Sequence, residues 1–408
     1  RVSRRQRQMC IRDRNKDDKV PKFIETQVIN LKKNYPNFEI YVLCPDNNKK
    51  LEIEVNKLYT QIRFQYFFPK FFQTLTNEGI MNQLKNNILN YFLTPFLFGS
   101  QMISLFRLVK RENIELIYAH WFFPQAVNAY LVSKLCNIPF VFTSHSSDVR
   151  IVERRIPLIG KNIIRKVCKE ALAISAPSRK IIDLIARYFS EEEFENIKTF
   201  VIPMGINTEN INHKITRNPD KEKLNILFIG RFSEKKGVNI LIESIYNVKQ
   251  KLPEQKIKLT LAGDGDQIEI YEQLIEKYNL DLTVEIIGFA DEIEKYELLH
   301  STDLLVVPSI ESRNGDIEGL PVVILEGLYC KAIVLASKYT NAQEIIEDSK
   351  DGFIIKDLNS DSLAEEIIHI NNLDEKILNR IRLNAFNKAI QYNSKNNAKE
   401  FFEFLTIS

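Results

Sequence analysis

Cysteine is sparse and scattered. Cys10, Cys44, Cys136, Cys168 and Cys330 stand in 408 residues with no C-x-x-C spacing. That argues against a zinc site or a disulfide framework and fits a reducing compartment. Long apolar runs are missing too. The longest uncharged stretch, Asn86 to Phe106, contains Pro95, Gly99, two Ser and four Asn or Gln, a poor composition for a spanning helix. The sequence shows no signal peptide. The complete dinucleotide fingerprint is also absent. Leu261-Ala262-Gly263-Asp264-Gly265-Asp266 follows a strand pattern, but Ile268 stands where a third glycine would be. Asp264 and Asp266 have no other acidic cluster beside them, so a magnesium pair is a weak reading.

Charge of one sign is missing overall, but the balance is uneven. The chain carries a net +3, with 44% apolar and 27% charged residues, the make-up of a globular protein. Its first fourteen residues hold six Arg and one Asp and almost nothing to bury. Residues 1–14 read as a non-native tail like a translated adapter end, or else as a basic arm. Beyond them, residues 15–222 carry +8 and residues 223–408 carry −10. A basic first half suggests peripheral contact with anionic lipid or a phosphorylated acceptor; ordinary surface charge is the alternative. Arg154 to Val167 mixes cations with apolar residues as a membrane-surface helix does, and Phe67 to Phe72 would dip into the same interface. A core helix and an aromatic-clamped loop fit those two stretches equally well. A nucleic-acid partner is disfavoured, since the balance without the tail is negative.

What is present is alternation. In the first half, strands are expected at Phe38–Leu43, Leu116–Ala119, Phe140–Thr143, Leu172–Ser175 and Thr199–Ile202. In the second they are expected at Ile226–Ile229, Ile257–Leu261, Val284–Ile287, Leu304–Val307, Ile333–Ala336 and Phe353–Ile355. Helical patterns lie between them; Val238, Leu241, Ile242, Ile245 and Val248 follow the 3.6-residue period. Apolar strands alternating with helices mean parallel sheets covered on both faces. The expectation is an α/β protein of two doubly wound Rossmann-like domains facing a cleft. Residues 15–207 form the first, 208–223 a polar linker, 224–384 the second, and 385–408 a C-terminal helix that crosses back to the first domain.

Ligands of such sheets bind at the carboxyl ends of strands. After Ile226–Ile229 comes Gly230-Arg231, then Lys236-Gly237. Gly230 would let the backbone approach a ligand, and Arg231 and Lys236 would reach one anion from two sides. Ile287-Gly288-Phe289 would offer backbone groups to a base. Glu318-Gly319-Leu320-Pro321 leads into a helix with Glu326 about two turns on, and Pro321 suits a first helical position. The N–H groups of Gly319, Leu320 and Val322 would point at a pyrophosphate, and a carboxylate within the helix would hold a ribose diol. An acidic first turn on an ordinary amphipathic helix is the alternative. In the first half, His120 and His145 each follow a strand, where a histidine serves either function or structure.

Together these motifs resemble glycosyltransferase family 4, retaining enzymes of the GT-B fold, from about Val20 onward. The matching residues are Gly230-Arg231 with Lys236-Gly237, Ala262 to Gly265, Pro308-Ser309, Glu318 to Pro321 with Glu326, and Lys350 to Phe353. The first half, with Pro21 to Thr26, His120 and Ser144 to Asp148, is similar to the branch that builds exopolysaccharide and related surface glycans. The resemblance implies a nucleotide-diphosphate-sugar donor, a saccharide or lipid-linked acceptor and no cofactor or metal. It places the enzyme in the cytoplasm or at the inner face of the cytoplasmic membrane. Arg231 and Lys236 would stabilise the diphosphate, Glu318 would contact the sugar, and Glu326 would bind the ribose. Gly230, Gly263, Gly265, Phe289, Gly319 and Leu320 complete the implied donor site. His120, His145 and Asp148 would lie on the acceptor side, with His145 facing the reacting sugar. The chain departs from the family in four places. A first strand is expected to be missing, Thr340-Asn341 stands for a glycine pair, Lys331-Ala332-Ile333 replaces a Gly-x-Pro, and the segment from Ile310 to Ile317 is longer than in many relatives. An inactive nucleotide-sugar binder and a sugar-nucleotide epimerase on the same architecture are the competing readings.

Overall fold

The structure is a computed structural model. It describes residues 6–9, 23–46, 53–55, 58–75, 90–145, 148–155, 157–208, 223–312 and 317–407. These form two units, one of residues 1–202 with 397–408 and one of residues 203–396. The linker expected at 208–223 lies almost wholly outside the described residues.

The first unit is an eight-stranded sheet. Its strands are β1 (Gln6–Met9), β2 (Glu39–Pro45), β3 (Ile53–Val55), β4 (Thr60–Phe64), β5 (Leu116–His120), β6 (Phe140–Thr143), β7 (Ala173–Ala176) and β8 (Thr199–Val201). They lie in the order β3-β4-β2-β1-β5-β6-β7-β8, parallel except for the β3–β4 pair. The helices are α1 (Phe23–Asn34), α2 (Asn90–Glu112), α3 (Val127–Cys136), α4 (Val149–Arg155), α5 (Gly160–Glu170), α6 (Arg179–Ala186) and α7 (Glu191–Glu195). Strands β5 and β6 are buried along their whole length, as parallel strands covered on both faces must be.

One expectation is overturned here. The sheet does not lack its first strand, because the tail supplies it. Gln6 pairs with Glu39 and Met9 with both Val42 and Tyr118, so β1 fills the slot between β2 and β5. Ladder pairing uses backbone groups, and an empty central slot would leave two rows of them unpaired. A stretch with few apolar residues can therefore serve as a strand.

The second unit carries β9 (Lys223–Ile229), β10 (Lys256–Ala262), β11 (Val284–Gly288), β12 (Leu304–Val307), β13 (Ile333–Ser337) and β14 (Phe353–Ile355). Its sheet is parallel throughout, in the order β11-β10-β9-β12-β13-β14. Counted within the unit that order is 3-2-1-4-5-6, the doubly wound arrangement of dinucleotide-binding sheets. Alternate residues feed two cores. Ile226, Phe228, Leu304 and Val306 bury on one face, and Leu227, Leu305 and Val307 on the other. The helices are α8 (Val238–Lys251), α9 (Ile268–Lys277), α10 (Glu292–Ser301), α11 (Val322–Tyr329), α12 (Ser360–Asn371) and α13 (Glu375–Ala389). The strand order reverses between β9 and β12, so the loops leaving their carboxyl ends emerge side by side.

The C-terminal segment divides differently from the expected 385–408. Helix α13 buries Leu378, Ile381 and Ala385 in the second unit. Helix α14 (Ser394–Leu405) lies mainly in the first. Its Phe401 and Phe404 are fully buried near Tyr118, and Phe402 stacks on Tyr35 at 4.0 Å between ring centroids. Asn393 separates the two helices: its backbone is extended at ψ 161°, and its side-chain oxygen accepts from the Lys395 and Asn396 N–H groups that start α14.

Candidate active site

The loops after β9 and β12 meet at the switch point. Residues 234–236 form a single 3-10 turn closed by Gly237, at φ 65°. A β-carbon on Gly237 would lie 2.0 Å from the Pro308 carbonyl oxygen, so only glycine fits. The Ile310 N–H donates to the Lys235 carbonyl at 2.8 Å and ties the two loops together. This brings the ammonium groups of Lys236 and Lys235 to 3.2 Å and 3.5 Å from Glu318 Oε1. Burial works to keep the proton on Glu318, but the two lysines outweigh it and hold the carboxyl at about 2. Glu318 is thus an anion at any physiological pH and cannot serve as a general acid. The expected partners Lys236 and Glu318 are brought together. Lys235 is a member that the sequence reading passed over, although it stands beside Lys236. Arg231 leaves the same strand end and is exposed.

Gly319 and Leu320 follow Glu318, and their N–H groups have no partner among the described residues. Pro321 sits one position earlier than expected. It is the N-cap of α11, with ψ at 125°, and the helix proper begins at Val322. Glu326 lies in α11 and is buried, with its Oε1 2.5 Å from Lys295 Nζ on α10. Lys295 stands 31 residues before its partner and has no local sequence signal. The Glu326 charge, with burial the larger cause, pushes the hydroxyl of neighbouring Tyr296 far above its ordinary range.

Gly263 and Gly265 are fixed as glycines by packing. A β-carbon on Gly263 would fall 1.9 Å from the Gly230 carbonyl oxygen, and one on Gly265 2.1 Å from that of Phe232. Both glycines permit close packing of the β9 and β10 loops. The Gly230 and Phe232 N–H groups donate to Ala262 and Asp264 across that seam. Gly288 adopts φ 74° and accepts from the Gly263 N–H at 2.7 Å, leaving Phe289 half exposed beside it.

Asn341 was noted only as a departure from a glycine pair. It occupies the left-handed region at φ 59°, which asparagine tolerates better than most residues. Its buried side-chain amide donates to the carbonyls of Glu318 and Gly319, both at 2.7 Å. It is a clasp on the backbone that carries Glu318.

In the first unit, His120 Nδ1 and His145 Nε2 share a hydrogen bond of 2.8 Å, with the rings stacked. Burial pushes His145 down to about 3 and His120 well below its ordinary value, the latter helped by its neighbour. Both are neutral at pH 7. His120 is fully buried beneath His145. Asp148 is likewise not presented to solvent. One oxygen accepts from the Phe122 N–H at 2.6 Å and the other from the Ser144 hydroxyl, which fixes the loop after β6. Ser146 and Ser147 lie outside the described residues.

Two family models match adjoining stretches of the chain. "Glycosyltransferase Family 4" matches residues 24–210, and "Glycosyl transferases group 1" matches residues 209–388. The uncharacterized glycosyltransferase MJ1178 of Methanocaldococcus jannaschii is 28% identical over 302 residues, 72% of this chain and 78% of the relative. The putative colanic acid biosynthesis glycosyltransferase WcaL of Salmonella typhimurium is 26% identical over 194 residues, about half of each chain, at 48% and 47%. The crystal structure of Anabaena Alr3699/HepE in complex with UDP shares the fold, with a TM-score of 0.71 and 18% identity over 99% of both chains. With the doubly wound order of the second sheet and the acidic and basic loops at its switch point, these matches show that the chain is a GT-B glycosyltransferase and belongs to glycosyltransferase family 4.

Proposed function

We propose that the enzyme transfers a sugar, with retention, from a nucleotide-diphosphate sugar to a hydroxyl of a saccharide or lipid-linked acceptor during surface-glycan synthesis. The observation that carries this is the Lys235–Lys236–Glu318 cluster at the β9–β12 switch point, followed by the α11 start and Glu326. The cluster holds fixed cations where a diphosphate would depart. The bond from the anomeric carbon to the diphosphate oxygen breaks and its electron pair leaves on the diphosphate. The acceptor oxygen bonds to the anomeric carbon and its proton passes to the diphosphate or to water. Arg231, Lys235 and Lys236 stabilise the departing charge, with the N–H groups of Gly319 and Leu320. This is the work a divalent ion would otherwise do, so transfer proceeds without one. Glu318 orients the sugar hydroxyls as a permanent anion. Glu326 takes the ribose hydroxyls, with Lys295 setting the carboxylate's direction. Neutral His145 serves as a hydrogen-bonding group on the acceptor side.

The UDP complex of the Anabaena protein and the colanic acid assignment of the Salmonella relative support the donor class and the surface-glycan setting. The enzyme works in the cytoplasm at the inner membrane face, where a lipid-linked acceptor is presented. The test is thermal shift against UDP, GDP, ADP and CMP and their sugars, followed by transfer with the donor that binds. The anomeric configuration of the product is then read by NMR. An inverted product, or a strict need for a divalent ion after chelation, refutes the corresponding part of the reading.

A further inference from the structure

Helix α2 is apolar on two faces. One face, with Leu93, Leu97, Leu105 and Leu108, is buried in the first unit. The other turns Phe92, Phe96, Ile103 and Phe106 to solvent at helical spacing. The helix is long and apolar enough to cross a membrane, yet its inner face belongs to the core. The loop after β4 extends the outer face. Phe67 contacts the rings of Phe92 and Phe96 at 6.3 Å and 5.1 Å, and Phe68 and Phe71 are 81% and 68% exposed beyond it. Ring contacts join Phe67, Phe71, Phe72, Phe92 and Phe96 into one aromatic patch, the kind of surface that marks an interaction site.

Up to Arg111 the charges on these segments have one sign. No Asp or Glu occurs from Thr60 to Leu75 or from Asn90 to Arg111. Lys70 is balanced by Asp46 at 3.2 Å and Arg111 by Glu112 at 2.7 Å. Arg107 and Lys110 remain exposed at the end of the stripe. Helix α5, the other amphipathic candidate, has most of its cations engaged, with Lys166 exposed. Arg165 donates to the Tyr188 carbonyl and to Glu193, and Lys169 pairs with Glu193 at 2.8 Å.

We propose that the face formed by α2 and residues 67–72 seats the enzyme on an anionic bilayer surface. The phenylalanines enter the headgroup–acyl boundary while Arg107 and Lys110 meet lipid phosphates. A second copy on this patch would bring like charges together, whereas an anionic surface complements them. The proposal rests on the reading above that the acceptor is presented at a membrane, and it names the surface that reaches it.

The test is sedimentation of the full chain with vesicles of phosphatidylcholine alone and mixed with phosphatidylglycerol. The wild type should bind the mixed vesicles and lose binding in high salt. Phe92→Ser with Phe96→Ser should weaken binding at least tenfold. Arg107→Ser with Lys110→Ser should weaken it by roughly fivefold per cation removed. Leu158→Ser with Ile159→Ser, at exposed apolar positions preceding α5, should change nothing. All these side chains are exposed, so melting temperatures should hold. Three results overturn the proposal: no binding to mixed vesicles, binding insensitive to the Phe pair, or a dimer that the Phe pair converts to monomer. Nucleotide thermal shift on the same variants separates the two claims. A chain that binds vesicles but no nucleotide sugar refutes the proposed function and leaves this surface standing.

Discussion

Replacing Asn341 with glycine should destabilise the second unit, although glycine is the residue the family pattern favours there. Two physical roles compete at this position. If Asn341 were there only for its backbone at φ 59°, glycine would do as well or better. The structure gives the side chain a second role, two hydrogen bonds of 2.7 Å to the carbonyls of Glu318 and Gly319. A hydrogen bond contributes a net ~0.5–1.5 kcal/mol, so Asn341→Gly should cost about 2 kcal/mol. Asn341→Ala loses the same bonds and adds left-handed strain of ~1–2 kcal/mol, for a total near 3–4 kcal/mol. The predicted stability order is Asn, then Gly, then Ala. Urea unfolding separates the units, because the only tryptophan, Trp121, lies in the first. The transition seen by far-UV circular dichroism but not by Trp121 fluorescence belongs to the second. Donor affinity, measured by calorimetry with the nucleotide found by thermal shift, should fall about tenfold in the glycine variant, the weight of ~1.4 kcal/mol. Glycine equal to asparagine in both measurements would refute the clasp.

The remaining expectations are more direct. Glu318→Gln leaves Lys235 and Lys236 facing a neutral amide. Since the carboxyl sits at about 2 in the fold against 4.5 free, its ionisation contributes on the order of 3 kcal/mol above pH 4.5, lost as the pH falls toward 2. Urea unfolding of wild type and Glu318→Gln across that range should converge at the acid end. His120 and His145 are held neutral, so the unfolded chain binds more protons than the folded one below pH 6.5. The first unit should therefore lose stability as the pH falls from 6.5 toward 3, ahead of the second, and Trp121 fluorescence reads it directly. Gly263→Ala forces a β-carbon against the Gly230 carbonyl and should lower both the melting temperature and nucleotide affinity. Lys236→Ala should abolish transfer while keeping the far-UV spectrum; full activity would remove the lysine from the mechanism.

Parallel strands buried on both faces announce themselves. Leu304–Val307 and Phe353–Ile355 are strands over the residues expected, because each is a short apolar run between turns. Strands β3 and β4 were not recognised, since Thr60–Phe64 alternates and is only partly buried. Strand β1 was dismissed because its residues, Gln6 to Met9, carry no strand preference that composition could reveal. Glu318, Glu326 and Lys236 were legible because their spacing within loops and helices is local. The partners that define them were not. Lys295 reaches Glu326 across 31 residues, Asn341 reaches back to Glu318 across 23, and His120 meets His145 across 25. Such contacts come from strand order, which fixes neighbours that sequence distance hides. Asp148 adds a contact of the same kind, accepting from the Phe122 N–H across 26 residues.

Helix α14 returns the chain to the unit in which it began, and this imposes an order on synthesis. The first unit cannot bury Tyr118 and Phe200 against Phe404 until the final helix has left the ribosome. At ~5–20 residues per second, translating the intervening ~200 residues takes about 10–40 s. Throughout that interval the nascent first unit has an open apolar seam, and the second completes its cores only near the end of it, because Ala385 and Ala389 belong to them. A chaperone that holds the nascent chain has its target there.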